Sequence, residues 1–263
     1  MESKNPVFKR QPQGRQAWGG PTPTPEQLQG MYDAPAYAQH APPAYRAMTI
    51  DDVVVRGFMT LGTLVVSAAA AWALNLGWGA AMAGMLVGLV LALIVSFKQS
   101  TNPVLILGYA VGYGVAVGVL SHLMQEIYPG IVIQAVLGTA MAFGGMLTVY
   151  ALRIVRVTPK FTKFVVAAAL GLMGALLVNW IASFFIDGGF GLRQAGPVGY
   201  LVSVAAILLG CFFLLLDFNQ VEEGVRAGVP AKYSWLMAFG LTMTLVWLYL
   251  EILRLLSYFY SSD

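Results

Sequence analysis

Two acidic residues sit in company that is otherwise apolar. Asp217 closes the run in "LLLDFNQVEEGVRAG", and Glu251 interrupts "LVWLYLEILRLL". A carboxylate at membrane depth is costly, and where one occurs it faces a bundle interior or a wet cavity and marks ion or proton chemistry. Two such acids brought together at low dielectric cannot both ionise cheaply, so the pair shares a proton. A modest rise in pH would then turn a proton-bridged pair into a dianion that repels itself and attracts cations. Hard carboxylate oxygens suit calcium.

Each charge also has a plainer account. Arg254 follows Glu251 by three residues on the same helical face and can neutralise it, with "YFY" at 258–260 marking the interface. In one straight helix from Ser234, Glu251 lies about 25 Å from the helix start, far from Asp217 unless the helix bends near Gly240. Asp217 reads equally as a boundary carboxylate. Lys98, ending "LIVSFKQS", reads as an interfacial lysine, and Arg56, a turn inside the first apolar run, as a side chain reaching back to the headgroups.

The elements that must position these residues follow from composition. The chain has 263 residues, 58% hydrophobic and 10% charged. Soluble domains carry roughly 25% charged residues, so this is a membrane protein. Its pI near 9.0 comes from charges scattered between apolar runs rather than from a basic face, which excludes a nucleic-acid partner. Cys211 is the single cysteine and there are 2 histidines, so neither a disulfide nor a zinc site is expected. No cofactor or metal is assigned, and any metal would use oxygen ligands.

Seven apolar runs reach the roughly 20 residues needed to cross a bilayer. They fall at roughly 54–75, 78–97, 103–124, 130–152, 162–186, 197–217 and 233–259. Thr49 or Asp51 caps the first, and Pro103 suits the first turn of the third. The loop "DGGFGLRQAGP" is the long one on the far side. Residues 1–48, rich in Pro, Gln, Gly and Tyr, cannot bury enough apolar surface to offset their ordering entropy and are expected to form a disordered tail; residues 49–263 form the transmembrane domain.

With the tail inside, all but Arg193 and Arg254 of the 15 lysines and arginines lie on or near the cytoplasmic side. Seven spans then put the N-terminus in the cytoplasm and the C-terminus outside the plasma membrane. Gly84 and Gly88, Gly108 and Gly112, and Gly114 and Gly118 have GxxxG spacing, which lets helix backbones approach closely in lipid. These glycines follow no strand and lack nucleotide-loop order, so their role is packing.

"LLDFNQVEEGV" followed by "WLMAFGLTMTLVWLYLEILRLL" resembles the end of the Bax inhibitor family of membrane proteins (transmembrane Bax inhibitor motif), most nearly its actinobacterial and YccA-like bacterial branch. "MTIDDVVVRGFMTLG" and the opening "NPVF" extend the resemblance over nearly the whole chain. The resemblance implies an all-α integral membrane fold with six helices around a central seventh. It further implies a pH-sensing carboxylate pair on the sixth and seventh helices, in a leak pathway for calcium or other cations. Asp217 in "LDFNQ" matches the first acid, and Glu251 in "LYLEIL" the second, which is commonly aspartate. Lys98 falls where a basic partner of the first acid sometimes stands.

The rival reading is a non-conducting membrane regulator that binds and modulates a membrane protease or another membrane complex. An enzyme is not expected. The glycine-aspartate motifs of intramembrane aspartyl proteases are missing, as is any Ser/His or Cys/His arrangement at matching depth.

Overall fold

The structure, a computed structural model, describes residues 24–26, 29, 45–186 and 188–261. The chain divides into two compact units after Ala44, and every spanning helix belongs to the second. Seven helices are long and apolar enough to cross a membrane. They are α1 (Ile50–Ala73), α2 (Trp78–Lys98), α3 (Pro103–Ile127), α4 (Ile131–Ala151), α5 (Pro159–Ala182), α6 (Pro197–Arg226) and α7 (Ser234–Tyr260), with a 3-10 turn at Ala231–Tyr233 before the last.

Local chemistry fixes the ends. Thr49 caps α1: its hydroxyl accepts from the Asp52 N–H while the Asp52 carboxylate takes the Thr49 N–H, a reciprocal capping box. Asn102 and Thr158 cap α3 and α5, each followed by proline at the first helical position, where its missing N–H costs nothing. The sixth helix departs from expectation. Its apolar run ends at Asp217, yet the helix continues nine residues further, to Arg226. Asp217 therefore lies inside a helix rather than at its end.

Packing divides the bundle into two groups. In the first, α3 packs closely against α1 and α2; in the second, α6 takes α4 and α5. Glycines make the first group tight, as their spacing predicts. A Cβ on Gly84 would stand 2.5 Å from the Gly112 carbonyl oxygen, and one on Gly114 would stand 2.5 Å from that of Leu64. Contacts this close exclude any side chain. The two groups share little surface directly. Between them runs α7, in contact with α1, α3, α4 and α6, and its Phe239 packs among Ala92 and Val95 of α2. The seventh helix is thus the central one, while α5 stands off it and packs on α6.

Most of the expected tail, residues 1–48, lies outside the described residues, but its last residues are built into the helical unit. Ala47 bridges Pro230, the Met48 N–H donates to the Val229 carbonyl at 2.8 Å, and the Ala231 N–H donates to the Arg46 carbonyl at 2.8 Å. Met48 is 2% exposed, clustered with Val53 and Val221. The helical unit therefore begins at Tyr45 rather than at residue 49. Met48 supplies the large apolar side chain that is buried at this junction.

Candidate functional site: two acids on one helix seam

The seam between α6 and α7 carries both candidate acids. Asp217 projects from α6, and its Oδ2 accepts a hydrogen bond from Thr244 Oγ1 of α7 at 2.7 Å. Gly240, one turn before Thr244, faces the other oxygen: a Cβ there would stand in ordinary contact, 3.8 Å from Asp217 Oδ1. Among the described residues no basic side chain forms an ion pair with Asp217. A carboxylate at this depth with one hydroxyl donor and no counter-charge is an exposed electrostatic demand.

Glu251 is held differently. It is 5% exposed, and Arg193 Nη1 donates to both its oxygens, at 2.9 Å to Oε1 and 3.0 Å to Oε2. Arg254 Nη1 donates to Oε1 at 2.9 Å. The plainer reading of Glu251 through Arg254 is therefore present, and a second arginine joins it. Arg193 arrives from the loop between α5 and α6. Asn179, near the end of α5, shapes that loop by accepting the Phe190 N–H at 2.9 Å and the Leu192 N–H at 3.4 Å. Gly189 passes Asn179 with φ +63, and a Cβ there would stand 2.6 Å from the Asn179 carbonyl oxygen. Glycine is needed at that position on both counts.

The two acids are not brought together. Thr244, which marks the level of Asp217, and Glu251 lie on one face of α7 but seven residues apart, about 10 Å of helix rise. The antiparallel register agrees: Leu248 sits against Gly210, two turns from Asp217 along α6. The pair that the resemblance implies is, in this structure, two acids at different levels of the same seam, each with its own donors. The cause is that α7 runs as one helix from Ser234 to Tyr260, with no break that would fold Glu251 back.

Lys98 does not partner Asp217. It is exposed at the last turn of α2, forms no ion pair among the described residues, and sits on a helix that packs against α3 rather than α6. Arg56 also departs from its expected role. Instead of reaching the headgroups, it donates to the Ala231 carbonyl and the Ser234 hydroxyl, with its guanidinium 5.5 Å from the centre of the Trp235 ring. It pins the start of α7 to α1. Beyond Asp217, the overhanging end of α6 carries its own polar cluster, in which Glu222 accepts from the Tyr150 hydroxyl and from Arg226.

The sequence reading missed Arg193 and Thr244 as parts of the site. Arg193 had a signal, since it was one of only two basic residues against the topological bias. Thr244 had a weaker one, the seven-residue spacing that puts it on the Glu251 face of α7.

A family model described as Bax inhibitor 1 like matches residues 5–261. No curated protein and no solved structure matches the chain.

Proposed function

The chain belongs to the Bax inhibitor 1 like family, and on that premise we propose that it is a pH-sensitive leak pathway for calcium or other cations in the plasma membrane. Its N-terminus would be cytoplasmic and its C-terminus external, and no catalytic activity is assigned. The observation that carries this reading is Asp217, a carboxylate inside the bundle that accepts from the Thr244 hydroxyl and forms no ion pair among the described residues. Unlike Glu251, it pairs with no arginine among the described residues, so a passing cation can supply the missing charge.

The acids act as two stations in series rather than as one proton-sharing pair. Deprotonated Asp217 attracts the cation toward the seam. Glu251, with Arg193 and Arg254 on it, is the closed station, and a cation passes when that clamp loosens. Purified chain in liposomes, with calcium entry followed across a pH series, tests this. Flux that exceeds protein-free liposomes and rises with pH supports the leak. Flux equal to the protein-free control at every pH rejects conduction and leaves a membrane regulator.

A further inference from the structure

Between α5 and α6 lies a groove of about 860 Å³, which reaches Asp217 at the edge of the α6–α7 seam. Its long walls are aliphatic and aromatic, with Val166, Ala167 and Leu170 on one side and Phe213 and Leu216 on the other. Val166 and Leu170 are 44% and 64% exposed, so the groove opens outward where lipid lies. One end is polar. The Phe161 ring packs on Phe212 at 5.6 Å, which sets the start of α5 level with the turn leading to Asp217. Lys163 lines the groove on the α5 side, Asp217 and Glu223 on the α6 side.

These charges do not satisfy one another. Lys163 forms no ion pair among the described residues, Asp217 is bonded by Thr244, and Glu223 takes the Asn219 amide at 2.8 Å. An apolar trough that ends in unmatched charges of both signs fits a molecule with the same division. Its tail would fill the aliphatic length, and its head would carry an anion for Lys163 and the positive end of α5 and a cation for the two acids. A hydrated ion has nothing to place along the aliphatic walls. A lipid with an anionic glycerol headgroup leaves both carboxylates facing no cation.

We propose that this groove seats one phospholipid with a primary-ammonium headgroup, its phosphate beside Lys163 and its ammonium beside Asp217 and Glu223. The site shares Asp217 with the leak reading, but lipid binding is read by mass and does not depend on conduction.

The test is native mass spectrometry of the delipidated chain given equal amounts of phosphatidylethanolamine and phosphatidylglycerol. One bound lipid is expected, with ethanolamine favoured roughly two- to fivefold, the value of partly exposed ion pairs. Asp217→Asn with Glu223→Gln should remove the preference and keep the adduct. Lys163→Gln should weaken both lipids together. Ala167→Trp, on an exposed wall of the groove, should abolish the adduct without lowering the melting temperature. An adduct that survives Ala167→Trp, a headgroup ratio unmoved by the double acid variant, or a dimer or peptide mass in place of the lipid would overturn the proposal.

Discussion

Arg193 Nη1 lies 2.9 and 3.0 Å from the two oxygens of Glu251, joining the α5–α6 loop to the seventh helix across 58 residues of sequence. Arg254 reaches the same carboxylate from within α7. The two arginines are not equivalent. A contact between residues three apart on one helix is worth about 0.2–0.5 kcal/mol, whereas a long-range ion pair on a buried carboxylate fixes tertiary structure. Arg193→Gln should therefore destabilise the detergent-solubilised protein by about 2 kcal/mol, between the exposed and buried limits. Arg254→Gln should cost well under 1 kcal/mol on the same scale. Equal melting temperatures for the two variants would show that the loop contact carries no load.

Removing the acid exposes the asymmetry from the other side. Glu251→Gln leaves two guanidinium groups without an anion, so it should destabilise at least as much as Arg193→Gln. The double variant should lose less than the sum of the two, because both delete the same contact. Additive losses in thermal melts would mean that the pair makes no joint contribution.

The separation of the acids gives a kinetic prediction. Asp217→Asn should lower calcium flux at high pH by about tenfold, the low end of what local charge does to cation concentration, and should flatten the rise with pH. Deprotonation of Asp217 creates the attracting charge, and asparagine cannot acquire it. With distinct partners and about 10 Å of helix rise between the levels, Asp217→Asn and Glu251→Gln should combine additively in log flux. A double variant no different from Asp217→Asn alone would restore the proton-sharing pair.

Arg56 should matter to the start of α7 rather than to the lipid headgroups. Arg56→Ala removes two hydrogen bonds and the Trp235 contact. The expected loss is about 2 kcal/mol. Arg56→Lys should recover only part, because an ammonium cannot reproduce the planar fork. Full recovery by lysine, measured by melting temperature, would mean that charge alone suffices.

The last residues of the expected tail allow a sharp cut. Deleting residues 1–44 should leave thermal stability unchanged, while deleting 1–48 removes Met48 and the bridge to Pro230. Met48→Ala alone should cost about 2 kcal/mol, the low end for a buried methionine. An unchanged melting temperature for Met48→Ala would show that the contact with Val53 and Val221 contributes nothing.

The spans were legible because bilayer thickness sets a length that hydropathy can count, and the close helix contacts because only glycine permits them. The end of α6 was not. Asp217, Asn219, Gln220, Glu222 and Glu223 stop an apolar run, but polar residues do not stop a helix. Neighbourhood was the larger gap. Lys98 stood at a suitable depth, yet depth does not say which helices touch. The Arg254 contact could be read from its three-residue spacing. The Arg193 contact required knowing that a glycine-rich loop folds over the end of α7, and nothing in the spacing of residues 193 and 251 encodes that.

The place of α7 between the two helix groups bears on how the chain is made. Synthesis delivers α1 to α3 and then α4 to α6 before the helix that joins them exists. Until it emerges, the nascent chain holds two half-assemblies with little shared surface, and Arg193 waits without its acid. The seventh helix to leave the ribosome therefore closes the bundle. A chain cut short after Arg226 would have six helices inserted and no finished protein. It should be cleared by quality-control proteases that spare the full-length chain.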